Sequence, residues 1–213
     1  MTSESPSPGP RRRPGGRTGR IRTQVLDAVR AELGEHGYDG LTLDAVAARA
    51  GVHRATVYRR WRDVGGLLAD VLEATGDDDW LPEDTGSLLG DLAALNHENQ
   101  AALTAQPSIA AALIAASFRS EEAARGLRRL WEDRYTRCEV IVGRAVERGE
   151  LPADTDAQRL LVAATAPLYH HLVLLRTPPD PDLPDQAART AVLAASAGAF
   201  TRTGSEPASS SGA

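Results

Sequence analysis

The sequence predicts an all-α protein, with a basic N-terminal head of short helices and a larger, acidic helical body. Three observations lead there. Apolar residues recur at three- and four-residue spacing along most of the chain. Two very short helical segments, 42–50 and 54–61, are separated only by a glycine turn, so they must meet at a sharp angle. Charge is also divided along the chain. Residues 1–62 hold twelve arginines against six acidic residues, a balance of +6, so the net charge of −5 leaves −11 on residues 63–213. A basic module on an acidic body suits a nucleic-acid-facing end joined to an end with another task.

The 213 residues, 42% of them hydrophobic, are enough for one or two domains. Residues 1–18 are rich in Pro, Gly and Ser and are expected to form a disordered, Arg-rich arm. Arg11, Arg12, Arg13, Arg17 and Arg20 are placed to reach a phosphate backbone or a minor groove, a solvated tail being the simpler reading. The N-terminus lacks the apolar segment of a secretory signal and the chain has no apolar run of membrane-spanning length, so a cytoplasmic protein is expected.

The head is expected over 19–63. Ile21, Val25, Ala28, Val29 and Leu33 share one face of a helix over 21–35, which Gly37 should stop. Thr42 then offers an N-cap, Leu43, Val46, Ala47 and Ala50 an inward stripe, and Gly51 a terminator. The following helix, 54–61, buries Val57 and Trp61. Neither short helix is stable alone, so packing on the first must order them.

Residues 64–200 are expected to hold a connecting helix and the body, with a loose polar tail over 201–213. Asp63 can cap the connecting helix, which presents Leu67, Leu68, Val71 and Leu72. Gly65 and Gly66 should weaken its first turn by roughly 1 kcal/mol each relative to Ala. Further helices are expected over 86–104, 107–117, 120–148, 155–176 and 184–200. The segment LLVAATAPLYHHLVLLR is apolar around most of its circumference and asks for burial on several sides. A twin subunit supplies it, with Leu161, Ala164, Leu168, Leu172, Leu175, Val192 and Ala195 expected at the two-fold interface. Pro167 should bend this helix beside a cavity.

The second short helix carries the chemistry of the head. Arg54, Thr56 and Arg59 are expected near base edges or groove walls, Thr42, Tyr58 and Arg62 on phosphates, and His53 and Arg60 on the same face. In the body, Asn96, His97, Gln100, Phe118, Trp131, Tyr135, Cys138, Tyr169 and His170 mix polar and aromatic groups into apolar helices, as a pocket for a small organic molecule requires. The acidic body favours neutral or cationic effectors over anionic ones. No enzyme motif is visible. His170 and His171 project about 100° apart on a helix and cannot share a metal, Cys138 is the only cysteine, and neither a phosphate-binding glycine loop nor a nucleophile elbow occurs. No catalytic residues, metal or cofactor are expected.

The stretch TLDAVAARAGVHRATVYRRWRDVGGLLADVL, 42–72, resembles the helix-turn-helix signature of the TetR family of transcriptional regulators, T-x-x-x-[IV]-A-x-x-A-G-V-S-x-x-T-[IVL]-Y-x-x-[FW]. Thr42, Val46, Ala47, Ala50, Gly51, Val52, Thr56, Val57, Tyr58 and Trp61 match position by position. The resemblance implies an N-terminal three-helix helix-turn-helix DNA-binding head with a larger helical ligand-binding and dimerisation body, in a homodimer joined through its last two helices, bound to an inverted-repeat operator in double-stranded DNA and released by a small-molecule effector. A ligand-independent activator or architectural DNA binder shares the same head, and a small helical enzyme is the reading from another class. The chain departs from the pattern at His53, where the family usually has a capping Ser, and at 63–66, where a small polar residue is often followed by Lys and Glu. Arg62 or the arm's arginines stand in for that Lys.

Overall fold

The computed structural model describes residues 17–75 and 80–202. Arg11, Arg12 and Arg13 of the expected arm, and residues 203–213 of the expected tail, lie outside them. The described residues are helical apart from short connections and one isolated bridge between Thr155 and Thr201.

The helix α1 (Arg17–Gly40) begins inside the expected arm and runs past Gly37, which takes φ +68° and kinks it. Only glycine adopts that angle at low cost, and the redirected chain turns Tyr38 and Leu41 into the head's core. Then α2 (Leu43–Arg49) and α3 (Arg54–Arg60) pack on α1 through Leu43, Val46, Ala47, Val57 and Trp61, against Val25, Leu26 and Val29. Between them Gly51, at φ +62°, makes the turn.

The helix α4 (Val64–Thr75) follows. The body is α5 (Leu88–Thr104), α6 (Ile109–Ser117), α7 (Glu121–Glu147), α8 (Ala157–Tyr169) and α9 (Leu183–Ser196). Ser87, Ser108, Ser120 and Asp156 cap α5 to α8, each side chain accepting from the amide three residues on. The helix expected over 155–176 is regular only to Tyr169 and continues as a π-helical turn, His170–Leu174, ended by Arg176 at φ +54°. Pro167, inside α8, has no N–H to close the preceding turn, and the widened turn follows it. After α9 the chain reverses at Gly198 and pairs beside α8, Phe200 O accepting from Asp156 N at 2.7 Å.

Two apolar cores organise the molecule. One joins α1 to α4 with α6 and the first turn of α7, through Leu67, Leu68, Val71, Leu113, Ala116 and Ala123. The head's core therefore runs across residue 63 into the body. The other gathers α5, α7, α8 and α9 around Leu92, Ile141, Leu160 and Ala188.

At their junction α4 crosses α7. Of the two glycines expected to loosen the start of α4, Gly65 makes this crossing possible, together with Gly126 of α7. A Cβ on Gly65 would lie 2.4 Å from Ala123 Cβ, and one on Gly126 would lie 2.5 Å from Ala69 Cβ. Asp63 Oδ1 accepts from Gly66 N at 2.8 Å and Oδ2 from Ser120 Oγ at 2.5 Å, so one carboxylate caps α4 and ties it to the cap of α7.

Replacing Gly65 by Ala should therefore destabilise the fold by about 1–3 kcal/mol through overpacking, although Ala is the better helix former. Gly143, exposed on α7 with open space around it, should show the opposite sign on Gly143→Ala, a gain of about 0.5–1 kcal/mol. Urea unfolding of the two variants checks the contrast, and equal effects would mean that the crossing has room.

Candidate nucleic-acid interface and body cavity

Burial of Val57 and Trp61 turns the other side of α3 outward. Arg54, Tyr58, Arg59 and Arg60 are exposed, flanked by exposed His53 and Arg62, with Thr56 half-buried. The expected DNA residues are thus exposed on or beside α3 apart from half-buried Thr56, and Thr42, exposed on the turn before α2, uses its hydroxyl to accept from Ala45 N at 3.1 Å as that helix's cap. His53 precedes α3 without a side-chain capping bond, which leaves its imidazole uncommitted at the head of the helix.

Several of these cations already have partners. Arg54 is paired with Asp44 of α2, and the Tyr58 hydroxyl donates to Asp44 Oδ1 at 3.0 Å. The Asp44 bond raises the guanidinium pKa of Arg54 further. Arg60 turns back over the Trp61 ring at 5.2 Å and lies 3.8 Å from Asp70 of α4. Arg59 and Arg62 are exposed and make no ion pair among the described residues.

Asp70 is the anchor of the head. Trp61 Nε1–H donates to its Oδ2 at 2.9 Å, and Arg22 Nε to its Oδ1 at 3.0 Å, so one carboxylate holds α1 and the end of α3 to α4. On the other flank Arg49 of α2 bonds Glu32 and Glu35 of α1. Its guanidinium holds the Glu35 carboxyl below the usual carboxylate range. Asp44 and Asp70 escape a periodicity reading because their partners lie ten and forty-eight residues away.

In the body, a cavity of roughly 120 Å³ lies among α4 to α8. Leu72, Leu103, Ile114, Leu127 and Leu130 line it with Asn99, Trp131, Arg134 and Tyr169. Trp131 meets Tyr169 edge-on at 5.0 Å and stacks on Tyr135 at 5.5 Å. Burial pushes the Tyr169 hydroxyl pKa up, so it stays protonated and able to donate. Arg134 is fixed by Glu98 at 3.0 Å and lies 4.1 Å from the centre of the Trp80 ring. Asn99 is buried and lines the cavity.

The expected pocket set divides. Trp131 and Tyr169 line the cavity and Tyr135 backs it. Asn96 instead donates to Ala164 O and Pro184 O at 3.0 and 3.1 Å, tying α5 to α8 and α9, while its Oδ1 and the buried Gln100 Oε1 have no partner among the described residues. His97 is exposed beside Asp185 at 3.4 Å, Phe118 is 78% exposed, and His170 is exposed on the π-helical turn. Cys138 is buried in the second core, where desolvation pushes its thiol up to about 11, so it is not ionised near neutrality. Asn99 and Arg134 are the polar cavity residues that the reading for pocket residues passed over.

The expected interface set divides as well. Leu161, Ala164, Leu168 and Ala195 are buried within the subunit's own core, whereas Leu172 and Val192 are half-buried and Leu175 is exposed. A helix apolar all round here finds its burial against α5, α7 and α9. The apolar groups left outside are one position further round, Val162, Ala163 and Ala166 on α8 and Leu193 on α9. Among the described residues no three His, Cys, Asp or Glu side chains converge to hold a metal ion, and no helix is long and apolar enough to cross a membrane.

Two family models match this arrangement. Residues 25–71 match "Bacterial regulatory proteins, tetR family", and residues 82–191 match "Tetracyclin repressor-like, C-terminal domain". The chain belongs to the TetR family. It is 37% identical over 177 residues to the HTH-type transcriptional regulator AqdR of Rhodococcus erythropolis, covering 80% of this chain and 83% of that one. It is 34% identical over 161 residues to a DNA-binding transcriptional repressor TetR of Mycobacteroides abscessus, covering 73% and 84%. The crystal structure of the TetR family transcription regulator SCO0332 superposes with a TM-score of 0.65 at 28% identity, over 81% of this chain and 97% of that one. As a TetR-family protein the chain is a DNA-binding transcriptional regulator, and α2 with α3 is its helix-turn-helix.

Proposed function

We propose that this TetR-family regulator is a repressor, that it grips operator DNA with the α3 helices of a two-fold dimer, and that a small organic molecule entering the body cavity releases it. The observation that carries this reading is the double duty of α4. Asp70 anchors α1 and α3, and Leu72, two residues later, lines the cavity. A ligand that displaces Leu72 moves the helix to which the head is fastened. The similarity to a relative named a repressor supports the direction of the effect.

The cavity describes its ligand. At roughly 120 Å³ it is smaller than pockets that hold drug-sized molecules. A ligand larger than a single ring must push the walls apart, and that gives it unequal affinity for two arrangements of the body. Aliphatic and aromatic walls favour a compact, flat, apolar body, with Asn99 and the Tyr169 hydroxyl available for one polar edge. Glu98 balances the charge of Arg134, so an uncharged ligand fits best.

The dimer face is assigned to the outer side of α8 and α9, with Val162, Ala163, Ala166 and Leu193 at its centre. A two-fold axis there presents two α3 helices to one face of an inverted repeat.

Three measurements test the reading. With a duplex selected by the protein from a randomised pool, Arg62→Ala should weaken binding to every sequence and lower the salt slope by about 0.9. Arg59→Ala should relax preference at one base position by about 1–3 kcal/mol. Equal losses on selected and scrambled duplexes would remove the division of roles.

Small molecules that change Trp131 fluorescence, scored against Trp131→Phe because Trp61 and Trp80 also emit, should release the selected duplex. Binding at Trp131 that never alters DNA affinity would reject induction.

Leu193→Glu should sediment as a folded monomer, whereas Leu168→Glu, inside the subunit core, should unfold the protein. A wild-type monomer at micromolar concentration would reject the dimer.

A further inference from the structure

We propose that Asp44 sets the sequence selectivity of this regulator, by holding Arg54 and Tyr58 in one arrangement on α3 and by neutralising a cation that would otherwise bind any phosphate. The inference rests on the reading of α3 as the DNA-contacting helix.

Asp44 sits in the first turn of α2, and its two carboxylate oxygens are shared between two α3 side chains. Arg54 pairs with Oδ2 and the Tyr58 hydroxyl donates to Oδ1 at 3.0 Å. Arg54 and Tyr58 are four residues apart, so they lie over one another on the same helix face. The group is on the surface: the Arg54 side chain is 69% exposed and that of Asp44 45%. Exposed ion pairs contribute little to stability, and the buried stripe of Leu43, Val46, Ala47 and Val57 joins α2 to α3 without it. A carboxylate on a face that meets a polyanion nevertheless repels it, so its consequence belongs to binding.

Two effects follow. A guanidinium has five N–H donors in a fixed fork, and a carboxylate holding one edge orients the others for a planar, bidentate acceptor such as a guanine edge. A freely rotating Arg54 would meet phosphate oxygens on any sequence. The pair is also neutral as it approaches DNA, so non-specific contact releases about one counterion fewer than an unpaired Arg54 would. Tyr58, whose hydroxyl donates its hydrogen bond to Asp44, can donate to a phosphate only by leaving it.

The test compares wild type, Asp44→Asn and Asp44→Glu on a duplex selected by the wild-type protein and on the same duplex scrambled, across a salt series. Asp44→Asn should bind the scrambled duplex about five- to tenfold more tightly near 0.1 M salt, with a salt slope steeper by about 0.9. Its preference for the selected duplex should fall at least about tenfold. Asp44→Glu, which keeps the carboxylate, should stay near wild type. In an Arg54→Ala background, Asp44→Asn should no longer change the preference, a coupling that a general loss of structure would not produce. If Asp44→Asn fails to fold, Tyr58→Phe removes only the hydroxyl bond and should lower the preference about two- to fivefold. A preference unchanged in Asp44→Asn, or in Tyr58→Phe where that variant is used, overturns the inference while α3 remains the reading helix. If Arg54→Ala leaves binding to both duplexes unchanged, the reading of α3 is overturned, and the inference with it.

Discussion

The close crossing of α4 and α7 is the contact on which the rest of the structure depends. Two helices approach this nearly only where small residues face each other, here Gly65 against Ala123 and Gly126 against Ala69. Asp63 and Ser120 fasten the ends of the crossing with one carboxylate and one hydroxyl. Because α4 lies this close to the body, Leu67, Leu68 and Val71 reach a core that also contains α1, α2, α3 and α6. Head and first half of the body are therefore one packed unit. A displacement of α4 cannot be absorbed by a soft linker and passes to the helices that meet DNA.

The same head shows how a basic module spends most of its charge internally. Arg22 and Arg60 face Asp70, Arg49 faces Glu32 and Glu35, and Arg54 faces Asp44. The first two groups fix helices to one another, and only Arg59 and Arg62 remain exposed and unpaired on or beside α3 among the described residues. Five of the twelve arginines over residues 1–62 lie at positions 11–20 and two more face Asp70, which the net count of +6 does not include, so that count overstates the field that α3 presents. Long-range attraction to DNA has few sources on this face, and the details of hydrogen-bond geometry gain weight in choosing a sequence.

The head was legible in the sequence because its constraints are local. Thr42 caps at three residues, Gly51 turns at a positive φ, and Val57 and Trp61 fall on one face four residues apart, all patterns contained within a turn or two. The cavity was legible only at Trp131 and Tyr169. Apart from Asn99 and Arg134, its other walls are alanines, leucines and an isoleucine from several helices, which no single helix's pattern distinguishes from core. Asn96 and Cys138 look alike as polar breaks in apolar helices, yet one bonds two backbone carbonyls and the other is desolvated in the second core. Leu161, Ala164 and Leu168 were expected at a subunit interface because α8 is apolar all round. The subunit itself buries them, since α5, α7 and α9 pack on that side of the helix. Gly65 and Gly66 carried a local cost in helix propensity whose benefit, contact with α7, lies more than fifty residues away.

The π-helical turn and the small cavity belong to one argument. Pro167 removes a helical hydrogen bond just before Tyr169, and the turn from His170 to Leu174 is wider than the helix it continues. Tyr169 is thus a cavity wall at the point where α8 is least regular, opposite Leu72 on the helix that holds the head. A well-packed wall resists a ligand, and a wall next to an irregular turn yields at lower cost. Under the proposed function, a ligand entering here would have two ways to make room, by widening the turn at α8 or by pushing α4. Only the second reaches Asp70 and, through it, Trp61 and Arg22. How binding energy divides between these two movements determines whether a tightly bound molecule releases DNA or merely occupies the cavity. That division, more than affinity, distinguishes an inducer from a silent ligand.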